Sequence, residues 1–171
     1  MLIIVGRMGY IEPFKITLLK AEKEIKETYT DSELMILLKK PKVSKCRFSE
    51  YRDWVFINYI LATGNRLKTL INIKIHDIDF DNDTIILKKT KNKNQQIIPI
   101  SNSLKIILLE YLRYRKGEEN DYLFCNAKGE QLTRDSITSS ISFYNRSRGI
   151  RKTSIHLFRH TFAKNWILNG R

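Results

Sequence analysis

Acidic residues, cysteines and histidines are all scarce in this sequence. Its 171 residues include 18 Asp and Glu against 31 Lys and Arg, which leaves a net charge of +13. Cys46 and Cys125 lie far apart and neither belongs to a CxxC motif, so neither a disulfide framework nor a cysteine–histidine zinc site is predicted. Both are expected to be small apolar fillers in a reducing compartment. Three histidines are too few for a dedicated metal cluster, and no cofactor is predicted.

The sequence also lacks an apolar run of 18 residues, a signal peptide and a lipidation motif. These absences argue against a membrane protein and favour a cytoplasmic one. A strong positive charge attracts polyanions, so nucleic acid is the favoured partner. An RNA-binding or ribosome-associated protein is a weaker alternative, because the sequence has neither an RRM-like aromatic motif nor an Arg/Gly-rich tail.

The length and the 42% hydrophobic content predict one folded domain, or one domain with part of another. Residues 1–14 are interpreted as the tail of a longer unit, and residues 15–29 as a charged linker. A capping box at Thr30-Asp-Ser-Glu33 predicts a short helix that Pro41 ends. Periodicity predicts helices over residues 49–62, 103–115, 134–147 and 155–169, and three antiparallel strands over residues 75–100, the first formed around Ile75, Ile78 and Phe80.

Two arginines and a histidine are the most informative side chains. His156 and Arg159 are three residues apart in a predicted helix, so they share a face and are able to grip one group together. Arg66 follows Gly64, which suits a left-handed helix cap, and begins a second, short helix. Phosphate chemistry without a metal needs fixed positive donors, and the planar fork of arginine binds two oxygens at once. Taken singly, these residues also fit a capped histidine and a surface ion pair.

Two lysines lie in a polar segment between the second and third predicted strands. Lys91 and Lys93 alternate with asparagines there, which is typical of a solvated hairpin tip. The functional interpretation is a lysine that donates a proton to an oxygen leaving a phosphate. Spacing alone leaves both interpretations open.

The order of these motifs resembles the catalytic domain of the tyrosine recombinases, the phage integrase family of site-specific DNA recombinases. The resemblance rests on residues 62–67 (Ala-Thr-Gly-Asn-Arg-Leu), on the lysine hairpin before Ile97-Ile-Pro-Ile100, and on residues 156–163 (His-Leu-Phe-Arg-His-Thr-Phe-Ala). It runs from about residue 30 to residue 171. It implies an α+β fold that is mostly helical, with a small three-stranded antiparallel sheet on one side.

The resemblance also implies a reaction. In this family a tyrosine attacks a DNA phosphodiester, forms a 3′-phosphotyrosyl link and frees a 5′-hydroxyl without metal or ATP. Arg66 and Arg159 would hold the non-bridging oxygens, and His156 would bond the phosphate and help to move the proton of the nucleophile. Lys91, or else Lys93, would protonate the leaving 5′-oxygen. His160 matches the motif but is expected to support packing.

Two departures from the family pattern bear on activity. The family commonly has an acidic residue three after the first arginine, where this chain has Thr69. None of the eight tyrosines follows His156, and the sequence continues for only twelve residues after Arg159, with Trp166 too early for the family's later His/Trp position. The chain alone is therefore expected to be inactive in strand cleavage.

The resemblance divides the chain into two parts and suggests partners. Residues 1–29 are predicted to be the remnant of a preceding helical DNA-binding domain plus a linker, and residues 30–171 a C-terminally truncated catalytic domain. Double-stranded DNA is the expected partner, with further integrase protomers on DNA when the protein is full length and a monomer for this fragment. The alternative is a non-catalytic DNA-binding remnant or regulator derived from an integrase.

Overall fold

Six α-helices and a small sheet make up the fold. The computed structural model describes residues 27–87 and 96–168; Lys91, Lys93 and residues 1–14 lie outside these ranges. The elements are α1 (Asp31–Leu37), α2 (Phe48–Thr63), α3 (Leu67–Leu70), a 3-10 turn (Ile75–Asp77), β1 (Ile78–Asp79), β2 (Thr84–Leu87), β3 (Gln96–Pro99), α4 (Asn102–Arg115), α5 (Arg134–Arg146) and α6 (Ile155–Leu168). No helix within the described ranges is both long and apolar enough to cross a membrane.

Side-chain caps fix the starts of three helices. At α1 the Glu33 N–H donates to Thr30 Oγ1, and the Thr30 N–H donates back to Glu33 Oε2 at 2.8 Å, so the predicted capping box is confirmed. Ser101 caps α4, and Thr133 caps α5. These hydroxyls satisfy N–H groups that a helix start otherwise leaves without acceptors.

The sheet has the strand order β1-β2-β3 with both pairs antiparallel, as predicted. Ile85 and Leu87 of β2 are buried, while Ile97 of β3 is exposed, so one face of the sheet covers the core. The prediction that Ile75 lies in the first strand is wrong. The N–H groups of Ile75 and His76 donate to the carbonyls of Asp121 and Glu119, and this pairing holds the segment in a 3-10 turn.

Helix α2 is the centre of the molecule. Its apolar side chains are buried on every side, because α4, α5 and α6 all pack against it. A helix surrounded in this way shows no single apolar stripe in its sequence. Trp54 ties it to the end of α1 by donating from Nε1 to the Leu38 carbonyl at 2.9 Å.

Tyr29 departs from the solvated character predicted for residues 15–29, of which the structure describes only residues 27–29. Its side chain is only 2% exposed, and its ring stacks on Phe158 of α6 with centroids 4.3 Å apart. Its hydroxyl accepts from Asn145 Nδ2 at 2.9 Å. The contacts are all more than one hundred residues away, so local composition does not reveal them. Whether residues 1–29 form a separate unit remains a prediction.

Candidate active site

The turn between α2 and α3 places Arg66. Gly64 ends α2 with φ of 62°, and its N–H donates to the Ile60 carbonyl at 2.9 Å, which confirms the predicted left-handed cap. A Cβ at this position would collide with the ring of Phe162 in α6. Glycine is therefore required both by the backbone angle and by the close approach of α6.

Arg66 occupies the N-cap position of α3, with its side chain exposed. Its carbonyl accepts from the N–H groups of Thr69 at 2.9 Å and Leu70 at 3.1 Å. Leu67 and Leu70 are buried and anchor this short helix. The backbone of Arg66 is thus fixed, while its guanidinium faces solvent.

Helix α6 carries the other two predicted residues. Ile155, Phe158 and Thr161 form its buried side, and Thr161 Oγ1 accepts from the Tyr29 N–H at 3.0 Å. His156 is exposed and Arg159 is partly buried, one helical turn apart. The predicted shared face is therefore present on α6.

Arg159 reaches across to the turn after α2. Its Nη1 donates to the Gly64 carbonyl at 2.5 Å. The pKa of Arg159 is lowered, first by burial and second by the positive charge of Arg66. Gly64 lies only two residues before Arg66, so the bond to its carbonyl places Arg159 beside the turn that carries Arg66, although 92 residues separate the two arginines in sequence.

No acidic side chain neutralises this pair among the described residues. None of the ion pairs found there includes Arg66, His156 or Arg159. The like charges of Arg66 and Arg159 repel each other, and an anion between them would reverse that energy. The arrangement can bind a phosphate through up to two guanidinium forks, with His156 as a further donor.

The remaining predicted residues are placed unevenly. Lys91 and Lys93 fall between β2 and β3 but outside the described residues. Thr69 is half-buried one turn into α3, and His160 is half-buried directly after Arg159. Sequence reasoning missed the Gly64 carbonyl as the group that orients Arg159. Gly64 was recognisable as a cap, but no local signal indicates its contact with α6.

The parts of the chain that the structure describes hold no group of three His, Cys, Asp or Glu side chains arranged as metal ligands. The chemistry available at this site is that of arginine and histidine. Arginine stays protonated across the physiological range, even with a lowered pKa. The two arginines therefore give the site a positive charge.

A mostly helical domain with a small antiparallel sheet and paired arginines on two adjacent elements defines the class of tyrosine recombinase catalytic domains. The chain belongs to the phage integrase family, whose sequence model matches residues 27–171. It is 30% identical over 153 residues to tyrosine recombinase XerC of Chlamydia caviae, covering 86% of this chain and 48% of that relative. Tyrosine recombinase XerA of Pyrococcus furiosus is 28% identical over 155 residues, covering 88% of this chain and 51% of the relative.

Known structures agree with this assignment. The crystal structure of a XerA recombinase matches with a TM-score of 0.70 and 26% identity over 91% of this chain and 54% of that one. The pre-cleavage complex of XerH recombinase bound to its difH substrate matches with a TM-score of 0.68 and 26% identity, over 90% and 46% of the two chains. The chain thus spans about half the length of the relatives it matches.

Proposed function

We propose that Arg66, His156 and Arg159 form the phosphate-holding part of a site-specific DNA recombinase. The observation that carries the proposal is the pairing of Arg66 with Arg159 on two elements, without an acidic neighbour among the described residues. The XerH relative is bound to a DNA substrate, which supports DNA as the source of the phosphate. We place the reaction in the cytoplasm, where free cysteines such as Cys46 and Cys125 persist.

The reaction is a transesterification. A tyrosine oxygen attacks the phosphorus of a DNA phosphodiester, the bond to the 5′-oxygen breaks, and a 3′-phosphotyrosyl link forms. Arg66 and Arg159 hold the non-bridging oxygens as negative charge develops on these oxygens. His156 donates a hydrogen bond to the phosphate. Lys91 donates a proton to the leaving 5′-oxygen, with Lys93 as the alternative donor.

The nucleophile is the part of the reaction that these residues do not supply. All eight tyrosines precede His156 in sequence, and the five most deeply buried among them are core side chains. We propose that the attacking tyrosine comes from outside these 171 residues. Further protomers would join on DNA, and the chain alone would be a monomer; a stable tetramer in light scattering would contradict the latter.

A second candidate is a non-catalytic DNA-binding module. Two features favour this candidate. Thr69 is neutral where the family commonly has an acidic residue, and all eight tyrosines precede His156 in the sequence. The two candidates share DNA binding and differ in catalysis. Supplying a tyrosine nucleophile should yield covalent protein–DNA product for the enzyme and none for the module.

The first test is DNA binding by the 171-residue chain, measured by fluorescence anisotropy on duplex DNA over a range of salt concentrations. The logarithm of the binding constant should fall with the logarithm of salt by about 0.9 per phosphate contacted. Replacing both Arg66 and Arg159 with alanine should lower the slope by about 0.9, because both arginines are proposed to hold the same phosphate.

The matched control replaces both arginines with lysine, which keeps the charge and removes the fork. The lysine variant should retain the salt slope. An unchanged slope in the alanine variant would show that the pair does not touch phosphate, and the proposal would fail.

A further inference from the structure

A second cationic site lies at the carboxyl end of α4, away from the paired arginines. An open pocket of about 740 Å³ forms between this helix end and the loop after Cys125. Its lining includes basic side chains and two aromatic rings: Arg113, Arg115, Lys116, Lys128, Phe48 and Tyr114. None of Arg66, His156 or Arg159 contributes to it, so the pocket is separate from the candidate active site.

Arg115 is the unusual residue in this pocket. Its side chain is only 3% exposed, and its Nη1 pairs with Asp121 Oδ2 at 3.4 Å. Its Nε and Nη2 atoms are buried and meet no hydrogen-bond acceptor among the residues that the structure describes. Buried N–H donors of a charged group are costly to leave without an acceptor. Nε and Nη2 form the side of the guanidinium that binds two oxygens in parallel.

The neighbours of this edge supply little negative charge. Burial raises the pKa of the Cys125 thiol despite the opposing effects of the Arg115 charge and of a hydrogen bond with Arg115, so the thiol is neutral and only a weak acceptor. The Tyr111 hydroxyl is a further buried donor without a partner in the described ranges. Burial also raises the pKa of Tyr111 above its usual range.

Within residues 27–87 and 96–168, Asp121 is the carboxylate that pairs with Arg115. It is already engaged, because its Oδ2 also accepts from the Glu118 N–H at 3.0 Å, and its pKa is lowered by this bond first. It balances one of the four basic residues that line the pocket. The local charge therefore remains positive, which favours an anionic ligand.

The backbone is shaped to cover the guanidinium. Gly117 lies directly over it, and a Cβ at this position would come within 2.6 Å of Arg115 Cζ and 2.9 Å of Ile75 Cδ1. Any larger residue would displace Arg115 from its buried position. The glycine thus keeps the edge formed by Nε and Nη2 where it is.

We propose that this pocket binds an oxyanion, a carboxylate or phosphate group that presents two oxygens side by side to Nε and Nη2 of Arg115. Phe48 and Tyr114 provide an apolar wall for the organic part of the ligand. The oxyanion enters by displacing the flexible basic side chains at the rim. Its source is either a free small anion or a phosphate of a DNA strand, and these sources are separable by experiment.

The test uses NMR of the 171-residue chain labelled with nitrogen-15, observing the arginine Nε–H signals. Inorganic phosphate is titrated at constant ionic strength, and acetate is titrated separately. The Arg115 Nε–H signal should shift and saturate. A duplex oligonucleotide without terminal phosphates forms the other arm: a shift with phosphate or acetate assigns a free anion, and a shift with the duplex alone assigns a DNA phosphate.

Variants complete the design. Arg115→Lys keeps the charge but lacks the bidentate edge and the Nε–H signal. Followed through the backbone amide signals of Lys116 and Gly129, which line the pocket, it should weaken binding about tenfold or more. Arg146→Lys, at an exposed arginine outside the pocket, should leave the titration unchanged. The wild-type signal remains decisive if Arg115→Lys fails to fold. Two results would overturn the proposal. One is an Arg115 signal that does not move with any of the three ligands. The other is a set of shifts that do not saturate and that spread over exposed Arg113 and Lys128.

Discussion

Arg52 and the pair of Arg66 and Arg159 show two opposite uses of arginine around one helix. Arg52 lies inside α2, where Nε and Nη2 bond Asp53 Oδ1 at 2.9 and 2.6 Å. Its Nη1 donates to the Cys125 carbonyl at 3.1 Å. Arg66 and Arg159, just beyond the end of the same helix, share no carboxylate among the described residues.

The difference separates structure from binding. Every nitrogen of Arg52 has an acceptor, so little capacity remains for a ligand, and the residue serves to join α2 to its neighbours. Arg66 and Arg159 pair with no carboxylate among the described residues, so their guanidiniums keep donors for a ligand. In a basic chain, the useful signal of a site is therefore the arginine without an acid, not the density of positive charge.

The largest effect is expected at the buried pair. Asp53 and Arg52 are 3% and 5% exposed, and burial raises the pKa of Asp53 against the effect of the Arg52 charge. Removing one member leaves a buried charge alone, so Asp53→Ala should lower the free energy of unfolding by about 3–5 kcal/mol. Urea denaturation followed by circular dichroism measures this.

The double variant Arg52→Met with Asp53→Leu is the control. Replacing both partners with apolar side chains removes the uncompensated charge, so much of the lost stability should return. If Asp53→Ala changed stability by less than about 0.5 kcal/mol, as surface substitutions do, the structural role of the pair would be wrong.

The opposite result is expected at the candidate active site. Arg159→Lys keeps a positive charge but loses the fork and the fixed contact with Gly64. In a protein that joins these residues to a tyrosine nucleophile, strand cleavage should fall about 10²- to 10³-fold. Gel analysis of a nicked DNA substrate measures the rate. The free energy of unfolding should stay within about 1 kcal/mol of that of the parent protein, because the Arg159 side chain is only partly buried.

Arg47→Lys provides the matched control. Arg47 is an exposed arginine before α2 and makes no side-chain cap hydrogen bond. Its replacement should change the cleavage rate by less than about twofold and the free energy of unfolding by less than about 0.5 kcal/mol. Equal losses in both variants would point to a general effect of replacing arginine with lysine, and the distinction between Arg159 and other arginines would disappear.

Local signals in the sequence predicted several features of the fold and of the candidate site. The capping box at Thr30, the left-handed cap at Gly64 and the shared face of His156 and Arg159 all follow from residues within four positions of one another. The sequence did not reveal that Arg159 bonds the Gly64 carbonyl or that Tyr29 stacks on Phe158. These contacts join residues that are far apart, and their geometry depends on how α6 packs on α2.

An intermediate effect is expected where the two arginines meet. Gly64→Ala would hold an alanine at φ of 62° and force the Phe162 ring to move. A left-handed residue costs about 1–2 kcal/mol, and the displaced ring adds to this. Gly149→Ala is the matched control, since Gly149 has φ of 76° with no atom within 4 Å of the added Cβ.

Thermal unfolding of the two glycine variants isolates the contact with α6. Gly149→Ala should show the backbone cost alone, and Gly64→Ala the larger loss. Weaker DNA binding is also expected for Gly64→Ala only, because its carbonyl orients Arg159. Equal losses in the two variants would show that the ring contact contributes nothing.

The smallest effect is expected at an exposed ion pair, where the charges are neither buried nor part of the candidate site. Lys40 Nζ lies 2.6 Å from Glu110 Oε1, with side chains 47% and 39% exposed. Solvent screens such a pair, so Lys40→Gln should cost about 0.2–1 kcal/mol of unfolding free energy at neutral pH. Lys39→Gln removes the same charge from an exposed lysine for which no ion pair is found among the described residues.

The pH dependence gives this last prediction its sign. The bond from Lys40 lowers the pKa of Glu110 below its usual value. A carboxylate with a lowered pKa in the folded state stabilises the protein above its unfolded pKa of about 4.3, and the contribution is lost as pH falls through the folded pKa. The difference between wild type and Lys40→Gln should therefore be present at pH 7, shrink below the unfolded pKa of about 4.3, and vanish once the pH falls below the folded pKa of Glu110. A difference that persists in acid would mean that Lys40 acts through packing of its carbon chain and not through its charge.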